Sequence, residues 1–278
     1  MSNTRTALTA RTSSRYQEFP PPPSLSDRLV CTWTQNIRGV DGEYHPHPVL
    51  PDGCVDVVWI GGAAPVVAGP ATHRIVVKLS AGTSLIGIRF RPGCAASSLG
   101  LPVNELLNQD VPLADIWPHH AKRLTDETFD QQSESTRLRN ITTALANRLA
   151  VAPYPDPAVQ VAIPWLVRHP ARRVRDLALS IGISDRQLQR RFVAAVGFGP
   201  KTFQRIMRFQ RLLNQSSVAD SARQTIADLA CGAGYADQAH MCREFRELAD
   251  TTPQSLLTRV GSTLAMSDLF NTEDSGGD

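Results

Sequence analysis

Arg186, Gln189 and Arg190 lie on one side of the stretch DRQLQRRFVAAV, and the positions 53 residues further on hold Ala239, Cys242 and Arg243, with Arg246 matching Val193. Arginine and glutamine are the side chains that make paired hydrogen bonds to guanine and adenine edges in a major groove. Gln238 and His240 flank the second set, Ser184 stands just before the first stretch, and Lys201 follows it closely. This chemistry is recognition rather than bond-making. A solvated basic face would explain one such stretch. Two in tandem, each behind the same turn signature, argue against that explanation.

A second group lies in the N-terminal half. Asp52, Asp56 and Trp59 stand in PDGCVDVVW, and Arg89 and Arg91 in IRFRPG. A carboxylate and an arginine on one inward strand face could bind a polar effector through Asp56, Trp59, Arg89 and Arg91. The simpler reading is one structural ion pair. His45 and His47, in HPHP with Cys54 near, are spaced like a metal pair, but a fourth ligand at zinc spacing is missing. The expectation is a polar loop and no metal. His119 and His120 are expected on a solvated loop. No GxSxG, HExxH or phosphate-binding glycine loop is present, so neither an enzyme nor a cofactor is expected.

The elements that position the first group are a repeated pair. DLALSIGISDRQLQRRFVAAVGFGP (Asp176 to Pro200) and DLACGAGYADQAHMCREFRELADTTP (Asp228 to Pro253) share a pattern with a one-residue slip. Each reads as short helix, tight turn, second helix. Gly182 and Gly234 fall where the turn needs positive φ. Ser184 is placed to N-cap the following helix, and Asp237 takes that place in the second copy. Leu188, Phe192, Ala195 and Val196 form one apolar stripe, repeated by Met241, Phe245, Leu248 and Ala249. Between the copies, PKTFQRIMRFQRLLN reads as a linker helix with its own stripe. Its arginines, with the helix N-termini, are expected to hold phosphates.

These motifs resemble the DNA-binding domain of the AraC/XylS family of bacterial transcriptional regulators over roughly residues 156–259. The carriers are DLALSIGISDRQLQRRF, GFGPKTF, MRFQRLL, and TIADLACGAGYADQAHMCREF followed by TTP. The sequence departs from the family at Asp250, where glycine is usual, at Ala236 and Met241, and at Pro164 in the first helix. The resemblance implies a sequence-specific regulator on double-stranded DNA with two recognition helices in successive major-groove turns. RNA polymerase, a small-molecule effector and a second copy of the chain are candidate partners. Fragments LPDGCVDVVWIGG, VVAGPATH and LIGIRFRPG resemble, less specifically, an N-terminal domain found ahead of this DNA-binding domain in a subset of AraC-like regulators. An alternative is a DNA-repair methyl-acceptor or other cysteine-based sensor with an AraC-like domain. Its cysteine-rich zinc site has no match in the scattered Cys31, Cys54 and Cys94.

Composition agrees. Residues 154–263 hold 15 Arg and Lys against 9 Asp and Glu, whereas residues 1–153 hold 14 against 13. The basic surplus therefore lies where phosphates would be neutralised. Five scattered cysteines without CxxC suit a reduced, cytoplasmic chain, and no apolar run is long enough for a transmembrane helix. Strand-like segments bounded by Gly, Pro or Ser run from residue 47 to residue 91, followed by helical patterns to residue 151. The expected organisation is a disordered leader (1–24), an α+β domain with a small antiparallel sheet or barrel (25–151), a proline-rich linker (152–157), an all-α domain of two helix-turn-helix units joined by a linker helix (158–260), and an acidic disordered tail (261–278). Residues 38–48 are expected to loop. The amphipathic segment 133–151 is a candidate dimer contact, with packing on its own sheet the simpler role.

Overall fold

Period-two alternation drives the N-terminal half into strands. The computed structural model describes residues 14–40, 42, 44–129, 133–218 and 226–260. Eight strands follow in chain order: β1 (Ser14–Phe19), β2 (Leu29–Ile37), β3 (Tyr44–Val49), β4 (Val55–Ile60), β5 (Val66–Ala68), β6 (Ile75–Ser80), β7 (Ser84–Phe90) and β8 (Asp110–Pro112). Six form an antiparallel sheet ordered β1-β2-β7-β4-β5-β8, and β3 pairs with β6 in a separate ribbon. On one face of the large sheet Val55, Val57 and Trp59 join Ile86, Ile88 and Phe90 in a core with Leu99, Leu113, Ile141 and Leu145. Those last residues come from α1 (Ala95–Leu99), α2 (Leu113–Ile116) and α4 (Glu134–Leu149), beside which lies α3 (Pro118–Phe129). The opposite face, with Trp33, Val58 and Leu85, packs toward Leu79 of the ribbon.

Several expectations need correction. Ser14–Phe19, assigned to a disordered leader, is an edge strand paired with β2 from Ser14↔Ile37 to Phe19↔Thr32. Its two-faced pattern was overshadowed by the proline run beside it. Residues 44–48, expected to loop, belong to β3. Pro46 and Pro48 are tolerated because β3 pairs only with β6 and its other edge needs no N–H donors. Residues 110–112, within the stretch expected to be helical, instead form β8, which pairs with β5. His119 and His120 are exposed, but in the first turn of α3 rather than on a loop. The acidic tail and residues 1–13 of the leader lie outside the described residues. In α4, capped by Ser133, the stripe Leu138, Ile141, Leu145 and Leu149 is buried in the domain's own core.

The C-terminal half is helical: α5 (Pro157–Arg168), α6 (Val174–Ser180), α7 (Asp185–Val196), α8 (Pro200–Val218), α9 (Ile226–Ala233), α10 (Gln238–Ala249) and α11 (Pro253–Val260). Asp156 caps α5 by accepting from Ala158 and Val159 N–H. Gly182 and Gly234 take φ of 70° and 91° in the two turns. The α8 core side chains reach both units: Phe203 meets Phe192 edge-on at 5.4 Å, and Phe209 meets Phe245 at 4.8 Å.

The two halves are packed together. Leu50 is buried within the helical core, and Gln210 Nε2 donates to Pro51 O at 2.6 Å. A Cβ on Gly53 would stand 3.1 Å from Phe203, and one on Gly197 would stand 2.7 Å from Pro70. The proline-rich connection is pinned too, because buried Arg28 donates to the carbonyls of Ala152 and Pro153 at 3.1 and 3.0 Å.

Candidate nucleic-acid interface and interior cavity

Helix α7 starts with a capping box. Ser184 Oγ accepts from Gln187 N–H at 3.2 Å and Gln187 Oε1 accepts from Ser184 N–H at 2.9 Å. Two orphan donors are thereby satisfied. Leu188, Phe192, Ala195 and Val196 turn inward, so Arg186, Gln189 and Arg190 stand exposed together on the outer face. The Gln189 amide lies over Gly199, with Nε2 2.5 Å from where a Cβ would stand. Glycine there leaves room for that side chain. Lys201 is exposed in the first turn of α8.

Helix α10 is built differently. Asp237 caps it by accepting from His240 N–H at 2.6 Å. Gln238, Ala239, Arg243 and Arg246 are exposed and Cys242 is half-buried. His240, expected near bases, is engaged from within. Its Nε2 lies 3.2 Å from Glu244 Oε1, and its ring meets Tyr235 edge-on at 5.5 Å.

The linker arginines do not have the freedom expected of phosphate clamps. Glu244 is buried in the apolar stripe of α10, with Arg208 at 2.5 Å and Arg205 at 3.3 Å. Arg205 also pairs with Glu247. Arg208 Nη1 donates to Pro170 O at 2.9 Å and Arg211 Nη2 to Val167 O at 2.6 Å, both beyond or at the end of α5. Gln204 Nε2 donates to the carbonyls of His169 and Arg172. This side of α8 therefore ties helices together. The clue in the sequence is Glu244 itself, a carboxylate between Met241, Phe245 and Leu248 on a face that must be buried.

The second group forms a polar cluster at a cavity of about 200 Å³ between the large sheet and the β3–β6 ribbon. Arg89 grips Asp56 with two bonds, Nε–Oδ1 3.1 Å and Nη2–Oδ2 3.0 Å. Asp52 Oδ2 lies 3.6 Å from Nη2 and Glu18 Oε1 lies 3.9 Å from Nη1. The Trp33 indole donates to Asp56 Oδ2 at 3.2 Å. It reaches across Gly87, where a Cβ would stand 2.0 Å from the indole. Burial opposes the Arg89 charge, but Asp56 and Asp52 hold it, and the net shift is upward. Burial raises the Asp52 carboxyl, with Arg89 opposing and Asp56 adding to the rise. Burial also lowers His47 and pushes the Cys31 thiol up to about 12.

Asp56 and Arg89 thus meet as expected. Trp59 and Arg91 do not join them. Trp59 is three residues from Asp56 on one strand, so it faces the helices. Arg91 lies past the end of β7 and donates to Ser26 O at 2.7 Å. The cavity residues missed in the sequence include Tyr16 on β1, Trp33 over Gly87, and Gln35 beside His47, and Glu18 was missed as a partner of Tyr16 and Arg89. Among the described residues no three His, Cys, Asp or Glu side chains gather as a metal site, and no helix is long and apolar enough to cross a membrane.

Residues 177–259 match the family model of a helix-turn-helix domain, and residues 17–112 match a domain of unknown function, DUF6597. The C-terminal region is an AraC-type helix-turn-helix domain carried behind a separate N-terminal domain. The match supports the class of DNA-binding transcription regulators. No curated protein matches the chain significantly. Among solved structures, ToxT from Vibrio cholerae is similar at 12% identity over 89% of this chain and 98% of that one, with a TM-score of 0.43. A second ToxT structure gives 10% identity over 89% and 98%, with a TM-score of 0.42. A third, of ToxT with an unsaturated fatty acid bound, gives 13% over 88% and 94%, with a TM-score of 0.39.

Proposed function

We propose that this chain is a sequence-specific transcription regulator that works in the cytoplasm on double-stranded DNA. Helix α7 enters one major groove with Arg186, Gln189 and Arg190 at base edges. Helix α10 enters the next, with Arg243 as its main reader and Gln238, Ala239, Cys242 and Arg246 against the same groove. Ser184 and Lys201 lie beside the phosphates, where they fix position rather than sequence. The 19 residues of α8 span about 28 Å, of the order of the roughly 34 Å between successive major-groove turns. The observation that carries the reading is the α7 face, three base-reading side chains exposed on a helix whose other side is fully packed. Sites mapped genome-wide supply the operator. On that operator, Lys201→Ala should weaken binding to all sequences alike and lower the salt slope by about one. An unchanged slope contradicts the phosphate role of Lys201.

The N-terminal half modulates this output through its cavity. Supporting this is residues 50–54: Leu50 and Asp52 line the cavity, while Pro51 and Gly53 touch α8. An occupant acts only by favouring one arrangement of that contact over another. Filling the cavity with Val77→Phe should therefore change operator affinity. Unaltered affinity in a folded variant contradicts the coupling.

A further inference from the structure

The cavity has two chemically distinct ends. Most of its wall is aliphatic, with Val58, Ile60, Ile75, Val77, Leu79 and Leu85. Its polar end holds Asp52 and Asp56 beside the guanidinium of Arg89. Asp110 adds a third carboxylate to the lining, so among the described lining residues three carboxylates face one guanidinium and acceptors are in surplus. The acceptors are unequally used. Asp56 takes two bonds from Arg89 and one from Trp33, and Glu18 Oε1 takes the Tyr16 hydroxyl at 2.5 Å. Asp52 is 9% exposed, and its Oδ2 is 3.6 Å from Arg89 Nη2, longer than a hydrogen bond. That oxygen has capacity left for a donor. Arg89 Nη1, by contrast, is buried without a hydrogen bond, but its nearest carboxylate oxygen is Glu18 Oε1 at 3.9 Å. An incoming anion using Nη1 would meet that carboxylate.

We propose that the cavity takes a small molecule with a ring-sized apolar body and one cationic or neutral hydrogen-bond donor, and that it discriminates against carboxylates. The donor meets Asp52 at the acidic end, and the ring lies among the aliphatic walls. A volume of about 200 Å³ exceeds the roughly 150 Å³ that holds benzene, so the ligand is a single ring with a short arm. The assignment rests on the reading of the cavity as an effector site and gives that site its ligand class.

The test uses the full chain and three probes of matched size: 2-phenylethylamine, 2-phenylethanol and phenylacetate. Binding is followed by thermal shift and calorimetry at neutral pH. The amine and the alcohol are expected to raise the melting temperature, and phenylacetate to bind roughly tenfold or more weakly. Asp110→Asn lies on the edge strand β8 and removes one lining charge without removing the shape. It should weaken the amine while leaving the alcohol unchanged, and Val77→Phe should abolish both responses. Phenylacetate binding as tightly as the amine, and lost in Val77→Phe, would overturn the ligand class while leaving an effector site in place. A response to none of the three probes, or one that Val77→Phe leaves intact, would overturn the class and the effector reading together.

Discussion

The two helix-turn-helix units share a pattern but differ in what holds them. The first is held by apolar packing and by the N-terminal half, with Gly197 against Pro70 and Val103 and with Leu50 in the shared core. Its outer face leaves Arg186, Gln189 and Arg190 exposed. The second adds charge to its apolar packing, with Glu244 drawing Arg205, Arg208 and His240 around it. That network engages His240 from within. The matching helix ends differ in the same way. Gly197 takes φ of 96° at the end of α7, whereas Asp250 takes φ of 51° at the end of α10. A left-handed residue is natural for glycine and strained for most others. The duplicated motif thus gives one unit clamped by the N-terminal half, with Arg186, Gln189 and Arg190 on its outer face, and another tied to the linker helix.

The contrast can be broken at four places. Glu244→Gln should cost the most, about 3 kcal/mol. That is the low end for a broken buried pair, because the Arg205 and His240 side chains are about a third exposed. Urea unfolding measures the loss, and a loss under about 1 kcal/mol would mean that packing alone holds unit two. Leu50→Ala should cost about 2–3 kcal/mol by opening a void in the shared core. Proteolysis should then reach the 50–54 segment and α8 first, and an unchanged digestion pattern counts against the clamp. Gly197→Ala should cost about 1–2 kcal/mol from its left-handed φ, with the Pro70 contact adding to it. Asp250→Gly should run the other way, stabilising by roughly 0.5–1 kcal/mol. A loss of melting temperature in Asp250→Gly would show that the carboxylate has a role beyond the turn.

The helical half was legible because its information is local. Glycine at the turns, Ser184 before α7, and the stripes Leu188–Phe192 and Met241–Phe245 each depend on near neighbours. The sheet faces were partly legible. The alternation of Leu85, Gly87, Arg89 and Arg91 against Ile86, Ile88 and Phe90 separates the cavity face of β7 from its helix face except at Arg91, which lies past the end of the strand. Pairing between distant segments was not legible. Nothing near Tyr16 and Glu18 announces β2 as their partner, and Pro46 and Pro48 speak against a strand until β3 is seen at an edge. Period-two geometry does place Trp59 opposite Asp56, so that correction was available from spacing alone. The linker arginines misled because exposure of a charge is decided by partners far along the chain, Pro170 and Val167 for Arg208 and Arg211.

The central claim is that the first unit reads sequence more than the second. Operator and scrambled duplexes, titrated at one fixed salt concentration with Arg190→Ala and Arg243→Ala, test it most directly. Arg190→Ala should lose about 1–3 kcal/mol on the operator with little change on scrambled DNA. Arg243→Ala should lose less of that difference. Arg190→Ala binding the operator as the unaltered protein does, or Arg243→Ala losing the larger share of discrimination, would contradict the account.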